Sequence, residues 1–506
     1  MAAAGARARR VDARENVSAR PHIIIFNPDQ WRWDVMGHLG NPAAVTPNLD
    51  GLVRSQAVSF SHAFCQNPVC TPSRCSFMTG WYPHVHGHRT MHHMLHVERG
   101  EPVLLKVLKD AGYRVWWGGK NDLVPGQGGF DDVADLKFRH GDVDPDRHQL
   151  MMRNKSPDDP DYYSMFWGQL VPPDGRDAWR SADQAYVDGA CDFLRHRPTD
   201  QPLVIYLPLQ YPHPPYAVEE PFFSMIDRAK LPPRTPAPPG WRGKPSILRG
   251  IAERQHLENW TEDQWTELRA VYYGMCARLD RQFGQVCDTL RETGLWDDTA
   301  VFLFSDHGDF TGDYGLVEKT QNTFEDCLSR VPFIVKPPAG SPVRPRVSDA
   351  MVELVDFPAT VYDLAGIEPR YTHFGRSLLP VITGATDEHR DAVFCEGGRR
   401  RDERHCMELE SKGSQEPASL YWPRMACQRS PGPEHTKAIM CRTREFKYVR
   451  RLYEQDELYD LRADAGELCN RIDDPALASV LRQLKEQLIT HYLDTCDVVP
   501  LEADSR

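Results

Sequence analysis

His22-Ile23-Ile24-Ile25-Phe26, followed by Asn27-Pro28-Asp29-Gln30, is the stretch from which the fold can be read. An apolar, β-branched run with no polar alternation suits a strand buried on both faces. Polar residues then stand just past its carboxyl end. The same arrangement returns three times. Tyr113-Arg-Val-Trp-Trp117 precedes Lys120, Leu203-Val-Ile-Tyr-Leu207 precedes His213, and Ala300-Val-Phe-Leu-Phe304 precedes Ser305-Asp306-His307. Helical patterns lie between them. One runs from Val103 to Ala111 and is halted by Gly112; another runs from Ala185 to Leu194. The longest spans Glu262 to Glu292, with Leu268, Val271, Met275, Leu279, Phe283, Val286 and Leu290 near a 3.6-residue repeat. This alternation predicts an α/β fold, a mostly parallel central sheet sandwiched by helices. Sites in such sheets lie outside the carboxyl ends of the strands, so Asp29, Lys120, His213, Asp306 and His307 are expected to converge.

The composition narrows the function. The 506 residues carry a formal charge of −12, and 12 Trp, 18 Tyr and 20 Phe are too many aromatics for a disordered chain. Net negative charge argues against a protein that neutralises nucleic-acid phosphates. No apolar run approaches the ~18–20 residues of a membrane span. Residues 1–20 are Ala/Arg-rich and polar and read as a flexible tail, because no apolar segment follows Arg7, Arg9 and Arg10. An amphipathic transit peptide is the alternative. Thirteen Cys in so long a chain form no small disulfide scaffold and read as reduced thiols of a cytoplasmic protein.

Cys70-Thr71-Pro72-Ser73-Arg74, with Thr79-Gly80 downstream, resembles the signature of the formylglycine-dependent (type I) sulfatases of the alkaline phosphatase superfamily. The resemblance extends along the chain. Asp29-Gln30 resembles the Asp-Asp or Asp-Gln that ends the family's first strand, and Trp31-Arg32-Trp33-Asp34 continues in the manner of the phosphonate monoester hydrolase branch. Thr46-Pro-Asn-Leu-Asp50, Gly112-Tyr-Arg with Gly119-Lys120, His213-Pro214, and Ser305-Asp306-His307-Gly308 with Lys319 resemble further family segments. Arg330-Val-Pro-Phe-Ile334 and Glu457-Leu-Tyr-Asp-Leu461 with Asn470 do so as well. The family implies an alkaline-phosphatase-like catalytic domain over 21–390 and a smaller α+β C-terminal subdomain over 391–506. The nearest branches are the arylsulfatases, choline sulfatases and phosphonate monoester hydrolases.

What the resemblance implies is sulfate monoester hydrolysis. Cys70 would be oxidised to formylglycine (3-oxoalanine) by a formylglycine-generating enzyme. Its hydrate would supply the attacking oxygen. Asp29, Gln30, Asp306, His307 and residue 70 would hold one divalent cation. Oxygen ligands suit Ca²⁺ first or Mg²⁺, and the imidazole makes Mn²⁺ plausible. Arg74, Lys120 and Lys319 supply positive charge, Arg74 orienting the diol and the two lysines meeting ester oxygens. His213 would serve the leaving group as an acid. The sequence departs from the family in one place. The family commonly has His two residues after the Lys, whereas this chain has Lys120-Asn121-Asp122. Asp122 or a neighbouring His is the expected substitute, the candidates being His84, His86, His88, His92, His93 and His96. Their spacing fits no standard zinc pattern.

Two polar, Pro-rich stretches, Phe138 to Arg180 and Pro221 to Ile251, read as insertions that rim a pocket or simply cover the surface. Their aromatics, Tyr162, Tyr163, Phe166, Trp167 and Trp241, either stack on a substrate ring or quaternary amine, or pack the loops down. The substrate class stays open among carbohydrate, choline, aryl and alkyl sulfates, and a homo-oligomer is possible. The rival functions are a phosphonate monoester or phosphodiester hydrolase with the same nucleophile, and a non-catalytic binding protein whose Cys70 is never converted.

Overall fold

The computed structural model describes residues 20–501 and 503, apart from 127, 174–175, 177–178, 199–200 and 410–415. Residues 1–19 of the expected tail therefore lie outside the described residues. The centre is a nine-stranded sheet in the order Arg346–Glu353, Val58–Phe64, Phe333–Lys336, Thr299–Phe304, His22–Asp29, Leu203–Pro212, Arg114–Trp117, Leu136–Lys137, with Arg330–Val331 paired beside Val58–Phe64. The four strands expected from sequence are consecutive neighbours in it, and all run parallel. Phe333–Lys336 is antiparallel to both of its neighbours.

Side-chain alternation explains why these strands lack polar residues. Ile23 and Ile25 enter one apolar layer, Ile24 and Phe26 the other, and all are at most 1% exposed. Helix Glu262–Glu292 covers the second layer, where the Phe283 ring meets Phe26 edge-on at 5.4 Å. Helices Cys70–Thr79, Leu104–Asp110 and Asp356–Ala365 cover the first. The sheet is thus covered on both sides, as its composition requires.

A second, antiparallel sheet joins Val393–Gly397, Ala438–Arg442, Phe446–Arg451 and Glu457–Asp460, with helix Ala478–Thr495 packed on it through Leu484 and Leu488. It is tied to the main body by buried polar contacts. Lys447 Nζ donates to Phe324 O and Asp326 Oδ1, each at 2.7 Å, and Arg451 Nη1 donates to Asn322 O at 2.9 Å. Between its first two strands the chain makes a long excursion, 398–437, containing helix Trp422–Gln428. Among the described residues no helix is long and apolar enough to cross a membrane.

Candidate active site

Cys70 is the first residue of helix Cys70–Thr79, which is buried along its whole length. Its position puts the sulfur at the positive end of the helix dipole. Gly80, at φ 73°, caps the other end by donating to Ser76 O. The residues around Cys70 have separate structural tasks. Ser73 Oγ donates to the Asp306 carbonyl at 2.6 Å, and Arg74 reaches Asp306 Oδ2 with Nε at 3.0 Å and Nη2 at 2.9 Å. The motif therefore clamps the end of strand Thr299–Phe304 against helix Cys70–Thr79. Ser305 adds a second clamp, accepting from the Trp31 amide at 2.7 Å.

Four ligand-type side chains meet there. Asp29, Cys70, Asp306 and His307 place one donor atom each within 4.8 Å of one another, and all are at most 1% exposed. Cys70 Sγ lies 3.1 Å from His307 Nε2 and 3.4 Å from Asp29 Oδ1. His307 Nδ1 is 2.9 Å from the Gly308 carbonyl, a contact that takes the ring proton and leaves the Nε2 lone pair facing the cluster. Two carboxylates, an imidazole and a side chain convertible to an oxygen donor fit a hard or borderline divalent cation. Burial works against the Asp29 carboxylate, but Lys120, His213, Arg74 and His307 outweigh it and hold its pKa well below the usual range. Burial, with Asp29 beside it, pushes the Cys70 thiol up, so the unmodified sulfur is a poor thiolate nucleophile.

Gln30 sits at φ 73° beside this cluster. Its amide oxygen accepts from Lys319 at 2.7 Å, its amide nitrogen donates to Asp309 at 2.5 Å, and its backbone N–H donates to Asp306 Oδ1 at 3.1 Å. Lys120 Nζ lies 2.5 Å from Asp29 Oδ2 and 3.7 Å from Cys70 Sγ. Asp122 pairs with Lys120 at 2.7 Å and does not line the cavity over Cys70. Lys319 Nζ donates to Glu318 at 2.7 Å and to His213 Nε2 at 3.1 Å. His213 Nδ1 is 2.6 Å from Pro214 O, and burial followed by Lys319 depresses its pKa well below the usual imidazole value. Asp183, on helix Ala182–His196, accepts from the Gln210 and Tyr211 amides and so extends that strand beyond the expected Leu207.

A cavity of 410 Å³ opens above Cys70. Arg147 and His148 of the first insertion line it, as do Glu408, Ser419, Tyr421, Arg424 and Met425 of the 398–437 excursion. Sequence reading missed the excursion because its residues lie more than 300 positions from Cys70, on a connection between two strands of a different sheet. The adjacent Arg147-His148 pair was the one signal in the first insertion. The second insertion, 221–251, lines none of this cavity. The insertion aromatics pack the loops: Tyr162 and Tyr163 donate to the Ala418 and Pro417 carbonyls at 2.5 and 2.7 Å, holding the excursion down. The His-rich stretch divides as well. His84 pairs with Glu396 at 2.6 Å, His88 with Glu101 at 2.8 Å and His96 with Glu98 at 2.6 Å, and His86 lies 3.1 Å from Ser76 Oγ. His92 is the only one of the six that lines the cavity. Among the described residues the Asp29 cluster is the sole candidate metal group.

Residues 21–367 match the Sulfatase family. The chain is 24% identical over 524 aligned residues to the multifunctional alkaline phosphatase superfamily protein PehA of Trinickia caryophylli, covering 94% of this chain and 96% of that one. It is 26% identical over 478 residues to the choline-sulfatase of Rhizobium meliloti (strain 1021), covering 90% and 83%. Its fold overlays on the phosphonate monoester hydrolase of Agrobacterium radiobacter with a TM-score of 0.73 at 20% identity, over 95% of this chain and 97% of that one. The matched span holds the whole central sheet, helix Cys70–Thr79 and every member of the buried cluster, and the chain belongs to the sulfatase family.

Proposed function

We propose that this enzyme hydrolyses sulfate monoesters with a formylglycine made from Cys70 and one divalent cation held by Asp29, Gln30, Asp306, His307 and residue 70. The observation that carries the reading is the buried cluster at the floor of an open cavity. Ca²⁺ is the first choice of ion, with Mn²⁺ and Mg²⁺ behind it. A cation bound there would offset the charge of the ester and acidify the attacking hydroxyl. Formylglycine, as its hydrate, supplies that hydroxyl.

The chain's own residues do the rest. Arg74 fixes the Asp306 carboxylate beside residue 70. Lys120 and Lys319 present ammonium groups to the ester oxygens. Asp122 and Asp29 hold Lys120 protonated; burial opposes this, and the two carboxylates prevail. His213 has its Nδ1 proton committed to Pro214 O, so a proton bound for the leaving group reaches it at Nε2, the atom that faces Lys319. Asp122 is the candidate base where the family commonly has His. Maturation by a formylglycine-generating enzyme, a cytoplasmic location, a homo-oligomer and the 21–390/391–506 division complete the reading.

Mass spectrometry of the peptide containing residue 70, from a host with the maturation enzyme, should find a loss of roughly 18 Da against Cys. The same material should hydrolyse 4-nitrophenyl sulfate, and a chelator or Cys70→Ala should stop it. Full-rate turnover by Cys70→Ala would sink the proposal. A second reading, phosphonate monoester or phosphodiester hydrolysis, is favoured by the Asp29-Gln30-Trp31-Arg32 run. Sulfate monoesters and phosphate diesters both present a singly charged centre. Paired aryl sulfate and aryl phosphonate assays on one preparation rank the two.

A further inference from the structure

Arg424 is buried with an ion-pair partner but with guanidinium N–H groups that make no hydrogen bond. It lies on helix Trp422–Gln428 and lines the cavity above Cys70. Its side chain is 8% exposed, and its buried Nη1 has no hydrogen-bond partner among the described residues. Its Nε comes within 3.2 Å of Glu318 Oε2 but is not aligned for a hydrogen bond. Glu318 is already shared, since its Oε1 accepts from Lys319 at 2.7 Å. Glu408 also lines the cavity, and one of its oxygens accepts from the Met91 amide at 2.8 Å.

Burying a guanidinium without acceptors is costly, so a group that supplies them is strongly bound. The planar fork suits a carboxylate or a sulfate, which it can grip with two parallel N–H bonds. Beside it stand Tyr421, whose ring centre lies 5.9 Å from the Arg424 Cζ, and the apolar chains of Met91 and Met425. This wall therefore offers one cationic fork within an apolar and aromatic surface.

We infer that Arg424 is a specificity-determining residue: it binds a second anionic group, a carboxylate or an uncleaved sulfate or sulfonate, on the leaving-group part of the ester. The inference rests on the sulfatase reading and names the substrate class within it, an apolar or aromatic body with an oxyanion besides the sulfate that is removed.

The test uses converted, metal-loaded, full-length enzyme and three kinds of ester: 4-nitrophenyl sulfate, and its ring-carboxylated and ring-sulfonated counterparts. Wild type should prefer at least one ring-charged ester in kcat/KM by about tenfold over 4-nitrophenyl sulfate, and the better arm identifies the oxyanion. Arg424→Met should cost that ester on the order of 10- to 100-fold while changing 4-nitrophenyl sulfate less than about threefold. Arg424→Lys should recover part of the loss. No preference in wild type across the panel overturns the inference. So does an equal loss on every ester in Arg424→Met, which would make Arg424 only a support for Glu318 and Lys319. Turnover of none of the esters by wild type overturns the sulfatase reading itself, a result distinct from both.

Discussion

At Gly119 a single methyl group is too much. The backbone there has φ 146°, and a Cβ would lie 2.2 Å from the Pro208 carbonyl oxygen. The next amide, Lys120 N, donates to that same oxygen at 2.8 Å, so the glycine sets where the lysine stands. Gly119→Ala should lower kcat/KM by about 100-fold, the effect of moving a catalytic group by an ångström, while circular dichroism stays native. Ser73 makes a different prediction. Its hydroxyl anchors the Asp306 carbonyl, outside the ligand set. Ser73→Ala should weaken metal affinity about 10- to 100-fold, read as the chelator concentration that halves activity. Both residues were visible in the sequence as parts of motifs. Their physical tasks were not, because each acts on a partner from a distant strand. Gln30 is the sharper case. Its place after Asp29 suggested a ligand, and what the sequence did not show is that its amide also bonds to Lys319 and to Asp309, a residue never singled out there.

The element with the strongest local signal was the most legible in the sequence. Helix Glu262–Glu292 has the expected limits because Thr261 and Gln264 form a reciprocal capping box and the 3.6-residue apolar repeat never breaks. Thr261→Ala should cost about 1 kcal/mol, seen as faster amide exchange in the first turn, with kcat unchanged. Strands with mixed composition were not legible. Val58–Phe64 carries Ser59, Ser61 and His62, yet it pairs with Phe333–Lys336 and Arg346–Glu353 inside the main sheet. Burial, then Arg330 and Arg442, push the His62 pKa down to about 3, so the ring is neutral and tolerated there. That environment comes from strands remote in sequence, and no local pattern announces it. The 398–437 excursion escaped for the same reason. Of its cavity-facing residues, Tyr421, Arg424 and Met425 share one face of the short helix Trp422–Gln428, while Glu408 and Ser419 are set by the loop path.

Over the whole molecule, the two sheets are joined by charge. Burial opposes the Asp326 carboxylate, but Arg442, Lys447 and Arg330 outweigh it and hold its pKa well below the usual range. An acid depressed in this way contributes stability that is present above its unfolded pKa of about 3.9 and is lost as the pH falls through the folded value. Asp326→Asn should therefore lower Tm at pH 7, by the equivalent of about 3 kcal/mol, and the gap to the parent should narrow below about pH 4 in thermal-shift titrations. The same junction carries function. The segment from Lys319 to Asp326 runs from the catalytic cavity to the second sheet, where Asn322 Nδ2 donates to Thr436 O at 3.0 Å. Amino-acid order alone determined the parallel strands and the polar residues at their ends, because each is written as a contiguous run: an apolar strand, then its polar tip. Tertiary structure alone decided that Asp122 backs Lys120, that the second insertion stays clear of the cavity, and that Arg424 lines it. These follow from how separate surfaces meet, which depends on packing over hundreds of residues and leaves no local periodicity in the chain.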